Sequence, residues 1–132
     1  MRTRSKYKSR KVVRDGLVFD SLLEYRRWRE LLLLERAGKI QGLQRQVSFE
    51  LIPAQYEEIP TGEYYVRGEK KGQEKIKRVC VERSVCYVAD FVYTEDGKQV
   101  VEDSKGFETK DFIIKRKLLL WANGIKLKIT KE

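Results

Sequence analysis

The 132-residue chain contains no histidine, only two cysteines and only two prolines. The absence of histidine excludes histidine-based nucleases, Ser-His-Asp hydrolysis and histidine-ligated zinc. Cys80 and Cys86 fall on what reads as one strand, where six residues at about 3.3 Å each separate them by about 20 Å. This separation is too long for a disulfide, and two thiols alone make no zinc site, so we expect both to be small buried hydrophobes. Any metal would therefore be held by oxygen ligands, which favours Mg²⁺ or Mn²⁺.

Long hydrophobic runs are also missing. The longest compact run, four leucines at 31–34, is bounded by Glu30 and Glu35, whereas a membrane span needs about 20 apolar residues. The basic residues near the N-terminus are followed by more charge and not by an apolar segment, so no secretory pattern is present. We expect a cytoplasmic protein, and the length fits one domain.

Acidic residues are too few to balance the basic ones: 29 Lys and Arg against 20 Asp and Glu give a net charge of +9. Such a balance favours a polyanionic partner. Residues 1–9 predict a flexible basic arm in which Tyr7 offers a ring for base stacking. We expect the arm to bind DNA through Arg2, Arg4, Lys6, Lys8, Arg10 and Lys11. The alternative is a solvated tail with no partner.

Periodicity and turn signals predict two helices and several strands. A small hairpin is expected around Asp15-Gly16. Ser21 and Glu24 form a capping-box pattern that begins a helix of about 21–37, stopped by Gly38. Strand patterns follow at 46–52 and from 79 to 93, separated by a long polar excursion over 54–78 with a short hairpin expected around 63–72.

The C-terminal part predicts a strand from 98 to 105, a helix and a last strand at 125–130. Thr109 is the expected N-cap of this helix, with Ile114, Leu118 and Trp121 as its buried stripe. Trp28, in the first helix, is also expected in the core. The order is α-β-β-β-α-β after the N-terminal hairpin, a mixed α/β (α+β) sheet in one domain over residues 10–132.

The segment from Tyr87 to Gly106 carries the chemistry. Asp96-Gly97 is a favoured two-residue hairpin turn, and this register pairs Tyr93 with Val100 and Asp90 with Asp103. Directly opposed like charges destabilise a sheet, so we expect a cation between the two aspartates. Lys105 lies on the face of Asp103 because strand side chains alternate. Two carboxylates and an ammonium on one face predict a divalent-metal site for phosphodiester cleavage, unless the register slips by one residue.

Within the α-β-β-β-α-β order, Asp90, Asp103 and Lys105 resemble the core motif of the PD-(D/E)XK nuclease superfamily. More closely, the chain resembles a small phage and prophage family within it, through SKYKSRKVVRDGLVFDSLLE, QRQVSFELIP, YVADFVYTEDGKQVVEDSKG and TKDFIIKRKLLLW. The resemblance covers most of residues 5–130 and is weakest over 54–78. Ala89 stands where the superfamily motif has its leading proline.

This resemblance implies metal-dependent DNA cleavage with Asp90 and Asp103 as acids, Lys105 as the motif lysine and Mg²⁺ (or Mn²⁺) as cofactor. Many superfamily members add a glutamate from the first helix, which Glu24 matches, although Glu24 has a rival role in the capping box. Supporting or phosphate-binding roles fall to Gln46, Lys115 and Thr109, of which Thr109 is first a helix cap. Glu102 faces the other side of its strand and is expected to be paired or solvated.

The leading hypothesis is thus a Mg²⁺-dependent endonuclease acting on DNA in phage recombination, replication or packaging. Branched DNA such as a Holliday junction is the expected substrate, and a homodimer would supply two sites for two strands. Two alternatives remain open: a non-catalytic nucleic-acid-binding module on the same fold, and a phage assembly protein that uses its basic surface to pack DNA.

Overall fold

A computed structural model describes residues 11–131. By their internal contacts the described residues divide into two compact units, residues 11–49 with 87–131, and residues 50–86. The predicted basic residues Arg2 to Arg10 lie outside the described residues, and Lys11 is exposed. Among the described residues, no helix is long and apolar enough to span a membrane.

Two helices and eight strands make up the described chain. In order they are β1 (Val12–Arg14), β2 (Leu17–Phe19), α1 (Leu22–Arg36), β3 (Gln41–Ile52), β4 (Gln55–Tyr64), β5 (Glu74–Glu82), β6 (Val85–Glu95), β7 (Lys98–Ser104), α2 (Lys110–Asn123) and β8 (Lys128–Thr130). The fold is therefore a mixed α+β fold, as predicted.

The main sheet has the strand order β3-β6-β7-β8. Strands β6 and β7 are antiparallel, whereas β7 and β8 are parallel and are connected through α2. Strands β1 and β2 form a separate two-stranded hairpin about Asp15-Gly16, as predicted. The expected order α-β-β-β-α-β is confirmed by α1, β3, β6, β7, α2 and β8, with β4 and β5 inserted as a two-stranded ribbon of their own.

Helix α1 begins at the predicted cap, but only half of the capping box forms. The Ser21 hydroxyl accepts a hydrogen bond from the Glu24 backbone N–H at 3.1 Å. The Glu24 carboxylate instead accepts from the backbone N–H of Asp20 at 2.7 Å. Gly38, with φ +73°, ends the helix as expected, because only glycine adopts this conformation without a steric penalty.

Helix α2 has the predicted caps and a different buried face. Thr109 accepts from the Phe112 N–H at 3.1 Å, and Gly124 closes the helix at φ +66°. The predicted stripe is wrong, since Trp121 is 84% exposed and Ile114 is also exposed. Phe112 and Leu119 are buried instead. Apolar residues occupy several faces of this helix, so their period could not single out the packed face.

The core cluster joins α1 to the middle of the sheet. Its buried members are Leu31, Ile40, Phe91 and Tyr93. The Trp28 ring stacks on Phe91 with centroids 6.1 Å apart, so its predicted place against the core is confirmed. This packing fixes α1 over β6, the strand that carries Asp90.

Three strand predictions were wrong in detail. Strand β3 begins at residue 41, five residues early, and β8 is only three residues long. The continuous strand expected over 79–93 is two strands, because β5 pairs with β4 whereas β6 joins the main sheet. Cys80 and Cys86 consequently lie on different strands, both as free thiols, and Cys80 is exposed and not buried.

The polar excursion forms more regular structure than expected. Residues 55–82 are an antiparallel ribbon of a ten-residue and a nine-residue strand. The short hairpin expected around 63–72 is its closed end, where the Tyr65 N–H donates to the Gln73 carbonyl at 3.0 Å.

Candidate active site

The β6–β7 hairpin has the predicted register. Asp96 and Gly97 form the turn with φ +51° and +76°. The pairs Glu95 with Lys98 and Tyr93 with Val100 are confirmed, and the ladder continues to Phe91 opposite Glu102. Asp90 and Asp103 are therefore the next residues on the two strands, with no slip between them.

The two aspartates lock the strands together beyond the end of the ladder. Asp103 Oδ1 accepts from the Asp90 N–H at 2.7 Å, and Asp90 Oδ2 accepts from the Ser104 N–H at 3.0 Å. Asp90 is 7% exposed and Asp103 is 1% exposed. The mutual repulsion is thus offset in part by backbone N–H donors that each strand supplies to the other's carboxylate.

Lys105 and Tyr87 both contact Oδ2 of Asp103. The Lys105 ammonium is 3.6 Å from Asp103 Oδ2, and the Tyr87 hydroxyl donates a hydrogen bond to the same oxygen. The Lys105 ammonium also lies 4.9 Å from the centroid of the Phe112 ring. Its side chain keeps about a third of its surface exposed, so it can meet a ligand from solvent.

Glu24 reaches the aspartates from α1, and Gln46 connects it to them. The carboxylate of Glu24 is buried at the first turn of the helix. Gln46 Nε2 donates to Glu24 Oε1 at 3.1 Å and makes a longer contact of 3.4 Å with Asp90 Oδ1. Gln46 sits within β3 at φ +53°, a conformation that is uncommon for a residue other than glycine and that stores strain. This backbone conformation places the Gln46 amide between the buried carboxylates of Glu24 and Asp90.

Asp20 completes an oxygen cluster that the sequence reasoning missed. One carboxylate oxygen each from Asp20, Glu24 and Asp90 lies within 4.8 Å of the others. Asp103 is not part of this group, since its oxygens face the Asp90 N–H, Tyr87 and Lys105. The only signal for Asp20 in the sequence is its place beside the N-cap, where a carboxylate is ordinary.

The oxygen cluster has the dimensions of a divalent-cation site. Two oxygens on opposite sides of one ion are twice the metal–oxygen distance apart, about 4.2 Å for Mg²⁺ and about 4.8 Å for Ca²⁺. All separations in the cluster lie within 4.8 Å, and its donors are the carboxylates that hard cations prefer. The chemistry and closeness of these oxygens therefore fit Mg²⁺ or Mn²⁺.

The pKa values of the three buried carboxyl groups, Glu24, Asp90 and Asp103, are all raised. Burial, and then the charges of Asp103 and Glu24, raise the pKa of Asp90 to about 7. Burial also raises the pKa of Glu24, although the Asp20 N–H opposes the change. Burial raises the pKa of Asp103 against the hydrogen bond from Tyr87. Burial and mutual repulsion thus disfavour the charged forms of these three groups.

Two basic residues border the cluster but do not neutralise it. Arg45 Nη2 is 3.8 Å from Glu24 Oε1, and its guanidinium lies over the Phe19 ring at 4.2 Å. Lys105 is the other cation. Among the described residues, two cations thus face the three buried carboxylates Glu24, Asp90 and Asp103, and this balance favours a bound cation.

Glu102, one residue before Asp103, belongs to a separate network on the opposite face. It is fully buried, and both its oxygens accept from the Arg27 guanidinium, at 2.6 and 3.0 Å. The Tyr93 hydroxyl donates to Glu102 at 2.7 Å. Burial alone would raise the pKa of Glu102, but these hydrogen bonds outweigh it and the pKa is lowered. The prediction that Glu102 is paired is confirmed, and its solvated alternative is wrong.

Helix α2 contributes less to the cluster than the sequence indicated. Thr109 is the helix cap. Lys115 is half-buried, and the contacts among the described residues do not link it to the oxygen cluster. Arg116 forms an ion pair with Glu108 at 2.7 Å, while Lys117 is exposed.

The chain belongs to the family described as "Protein of unknown function (DUF1064)", whose model matches residues 4–130. This span includes the β4–β5 ribbon and all three residues of the oxygen cluster, Asp20, Glu24 and Asp90. A search of the curated proteins and a search of the solved structures each gave no match. Because the family description assigns no activity, the chemistry rests on the geometry of these side chains.

Proposed function

We propose that this protein is a Mg²⁺- or Mn²⁺-dependent endonuclease that hydrolyses phosphodiester bonds in DNA. The observation that carries the proposal is the convergence of Glu24, Asp90 and Asp103, all buried, with excess negative charge and raised pKa values. A fold gains nothing in stability from uncompensated buried carboxylates. Such a cluster is explained when it binds a cation for function.

In this proposal Asp20, Glu24 and Asp90 hold the metal through one oxygen each. Once bound, a divalent ion supplies a water of lowered pKa and neutralises charge on the phosphate. Gln46 orients Glu24 and Asp90 through its amide. Asp103 supports the cluster by fixing the Asp90 backbone and by holding Lys105.

Lys105 is proposed to stabilise the negative charge that builds on the phosphate during attack. Its ammonium is next to the acids and is partly exposed, with Asp103 as its anchor. A cavity of about 320 Å³ opens beside it, lined by Lys105, Phe107, Ile113 and Lys131 among others. A cavity of this volume accommodates a nucleotide-sized group.

DNA is proposed as the substrate because the chain carries a net charge of +9. Counterion release from phosphates favours binding by such a protein. The resemblance to PD-(D/E)XK nucleases, and to a phage and prophage family within them, supports the same substrate and extends to branched DNA and a homodimer. A purely DNA-binding or assembly role would leave the buried cluster unexplained.

The decisive experiment measures cleavage of plasmid, linear, flap and four-way-junction DNA with Mg²⁺, Mn²⁺, Ca²⁺ or EDTA. We expect cutting with Mg²⁺ or Mn²⁺ and none with EDTA. Asp90→Asn should lower the rate by about 100-fold or more, in line with the loss of a key electrostatic group. Asp111→Asn, which removes an exposed carboxylate of α2, is the matched control and should cut normally. No cleavage of any substrate with either metal would refute the enzyme.

The Glu24→Gln variant tests whether Glu24 acts as a metal ligand or only as a helix-capping residue. The cap itself is the Ser21 hydroxyl, which this change leaves in place, and a glutamine oxygen can still accept from the Asp20 N–H. We expect normal stability with cleavage reduced about 100-fold. Wild-type cleavage by Glu24→Gln would remove Glu24 from the site.

The predicted basic arm is tested through the salt dependence of DNA binding. Deletion of residues 1–9 should weaken binding and lower the slope of log K against log salt by about 0.9 for each phosphate that the arm neutralises in the parent. Fluorescence anisotropy in EDTA measures both quantities. An unchanged affinity would make the arm a tail without a role in binding.

A further inference from the structure

The β4–β5 ribbon does not serve the hydrophobic core. All ten residues of β4 are exposed. Pairing of Tyr56 with Cys80 and of Ile59 with Lys77 puts these two apolar side chains on opposite faces of the ribbon, and they are 47% and 41% exposed. A ribbon exposed on both faces is only marginally stable by itself, which indicates that it is retained for contact with another molecule.

Net charge changes sign along the length of the ribbon. The open end, residues 55–64 paired with 74–82, carries five acids and three bases, and Glu58 there lies opposite Arg78. The closed end, residues 65–73, carries three bases, Arg67, Lys70 and Lys71, and one acid, Glu69. The net charge is therefore −2 at the open end and +2 at the closed end, which favours contact of the closed end with a polyanion.

The closed end has a defined structure. The Tyr65 N–H donates to the Gln73 carbonyl at 3.0 Å and the Gly72 N–H donates back to the Tyr65 carbonyl at 2.9 Å. Lys70 and Lys75 both approach the Tyr65 ring, at 5.8 and 5.5 Å from its centroid. These two ammonium groups thus share one aromatic ring, which lowers the entropy they lose when they meet a ligand.

The dimensions of the ribbon fit a DNA groove. Two strands are about 4.8 Å apart, and the major groove, about 12 Å wide, admits a two-stranded ribbon. A ten-residue strand rises about 33 Å, close to one turn of duplex DNA. Because acids occupy the open end, a ribbon lying flat along the duplex would place them against phosphates. Insertion by the closed end avoids this repulsion.

We propose that the closed end of the β4–β5 ribbon is a DNA-binding arm that enters a groove of duplex DNA tip first and contacts phosphates on both sides. This inference rests on the proposed function, since it takes the same substrate and adds a second binding element to it. A second copy of the chain is a less suitable partner for the closed end than DNA. A two-fold axis through the closed ends of two ribbons would bring their basic residues together.

The test is DNA binding by the full chain in EDTA, so that no cleavage occurs. The ribbon variant replaces the three exposed basic residues of the closed end: Arg67→Gln, Lys70→Gln and Lys71→Gln. The control variant makes the same change of net charge outside the ribbon: Lys39→Gln, Lys98→Gln and Lys126→Gln, also exposed. A labelled duplex of about 30 base pairs, roughly three helical turns, is titrated by anisotropy across a salt series, and sedimentation reports the oligomeric state.

We expect the ribbon variant to bind at least about tenfold more weakly and to lower the salt slope by about 3, one for each basic residue replaced. The control should lose much less. Equal losses in the two variants would overturn the arm while leaving the nuclease proposal intact, since cleavage by the parent is measured separately. A change of oligomeric state in the ribbon variant alone would make the ribbon a protein interface. Absence of DNA binding by the parent would overturn both proposals.

Discussion

Replacing Asp90 by asparagine should stabilise the metal-free protein at alkaline pH while it abolishes activity. Asp90 is buried, and its pKa is raised from the ordinary value of 3.8 to about 7 by burial, Asp103 and Glu24. A carboxyl with a raised pKa binds its proton more tightly in the folded state than in the unfolded state. Its ionisation therefore opposes folding.

The sign follows from proton linkage. Stability of the metal-free protein is highest below the unfolded pKa near 4, and it falls as pH rises towards the folded value of about 7. The difference between these values corresponds to about 4 kcal/mol at pH 8. Asparagine carries no charge and can keep the hydrogen bond from the Ser104 N–H. Its weaker contact with Gln46 offsets part of the gain, so we expect Asp90→Asn to be more stable than the parent by about 2 kcal/mol or more at pH 8.

Urea denaturation in EDTA at pH 5 and pH 8 measures this effect. At pH 5 ionisation of Asp90 in the unfolded state has cost the parent only about 1.6 kcal/mol, against about 4 kcal/mol at pH 8, so the variant should gain little at pH 5. At pH 8 its gain corresponds to roughly 6 to 10 °C in melting temperature. Mn²⁺ should restore the parent at pH 8, by about 2.7 kcal/mol at a hundredfold excess over Kd, and leave Asp90→Asn unchanged. A variant that is less stable at both pH values, or a parent indifferent to pH and Mn²⁺, would refute the reasoning.

Two further predictions concern stability and are measured by chemical denaturation. Arg27→Ala should cost about 3 to 5 kcal/mol because it removes the guanidinium that pairs with the fully buried Glu102 and leaves the half-exposed Lys128, 3.8 Å away, as the cation beside it, while Arg27→Met combined with Glu102→Leu should recover most of that loss; full stability of the single variant would contradict this. Trp28→Ala should cost about 3 kcal/mol because it removes the ring that stacks on Phe91, whereas Trp121→Ala, at a site 84% exposed, should change stability by less than about 0.5 kcal/mol; equal costs would show that Trp121 packs against another surface.

The geometry of the Asp90–Asp103 pair could be predicted from the sequence because it depends on one turn and the alternation of two strands. Asp96-Gly97 fixes the register, and a period of two then determines which side chains share a face. Helix ends were predictable for the same local reason, since Ser21 and Gly38 act through their immediate neighbours.

Features that depend on packing between distant segments could not be predicted in this way. The buried face of α2 is decided by what the helix meets, so a period read from several apolar faces misplaced Trp121. Asp20 joins the cluster because the Glu24 carboxylate turns back to the Asp20 N–H. The bend at Gln46, with φ +53°, had no sequence signal, because glutamine does not favour that conformation.

Two adjacent carboxylates of β7 show how partners, and not burial, determine the role of an acid. Glu102 and Asp103 are 0% and 1% exposed, so the cost of removing them from water is similar. Glu102 meets a two-pronged guanidinium at 2.6 and 3.0 Å and its pKa is lowered. Asp103 meets one ammonium at 3.6 Å, beside two further acids, and its pKa is raised. Strand alternation thus places a carboxylate with a two-pronged partner on the α1 face and a more weakly paired one beside the oxygen cluster, where its charge raises the pKa of Asp90.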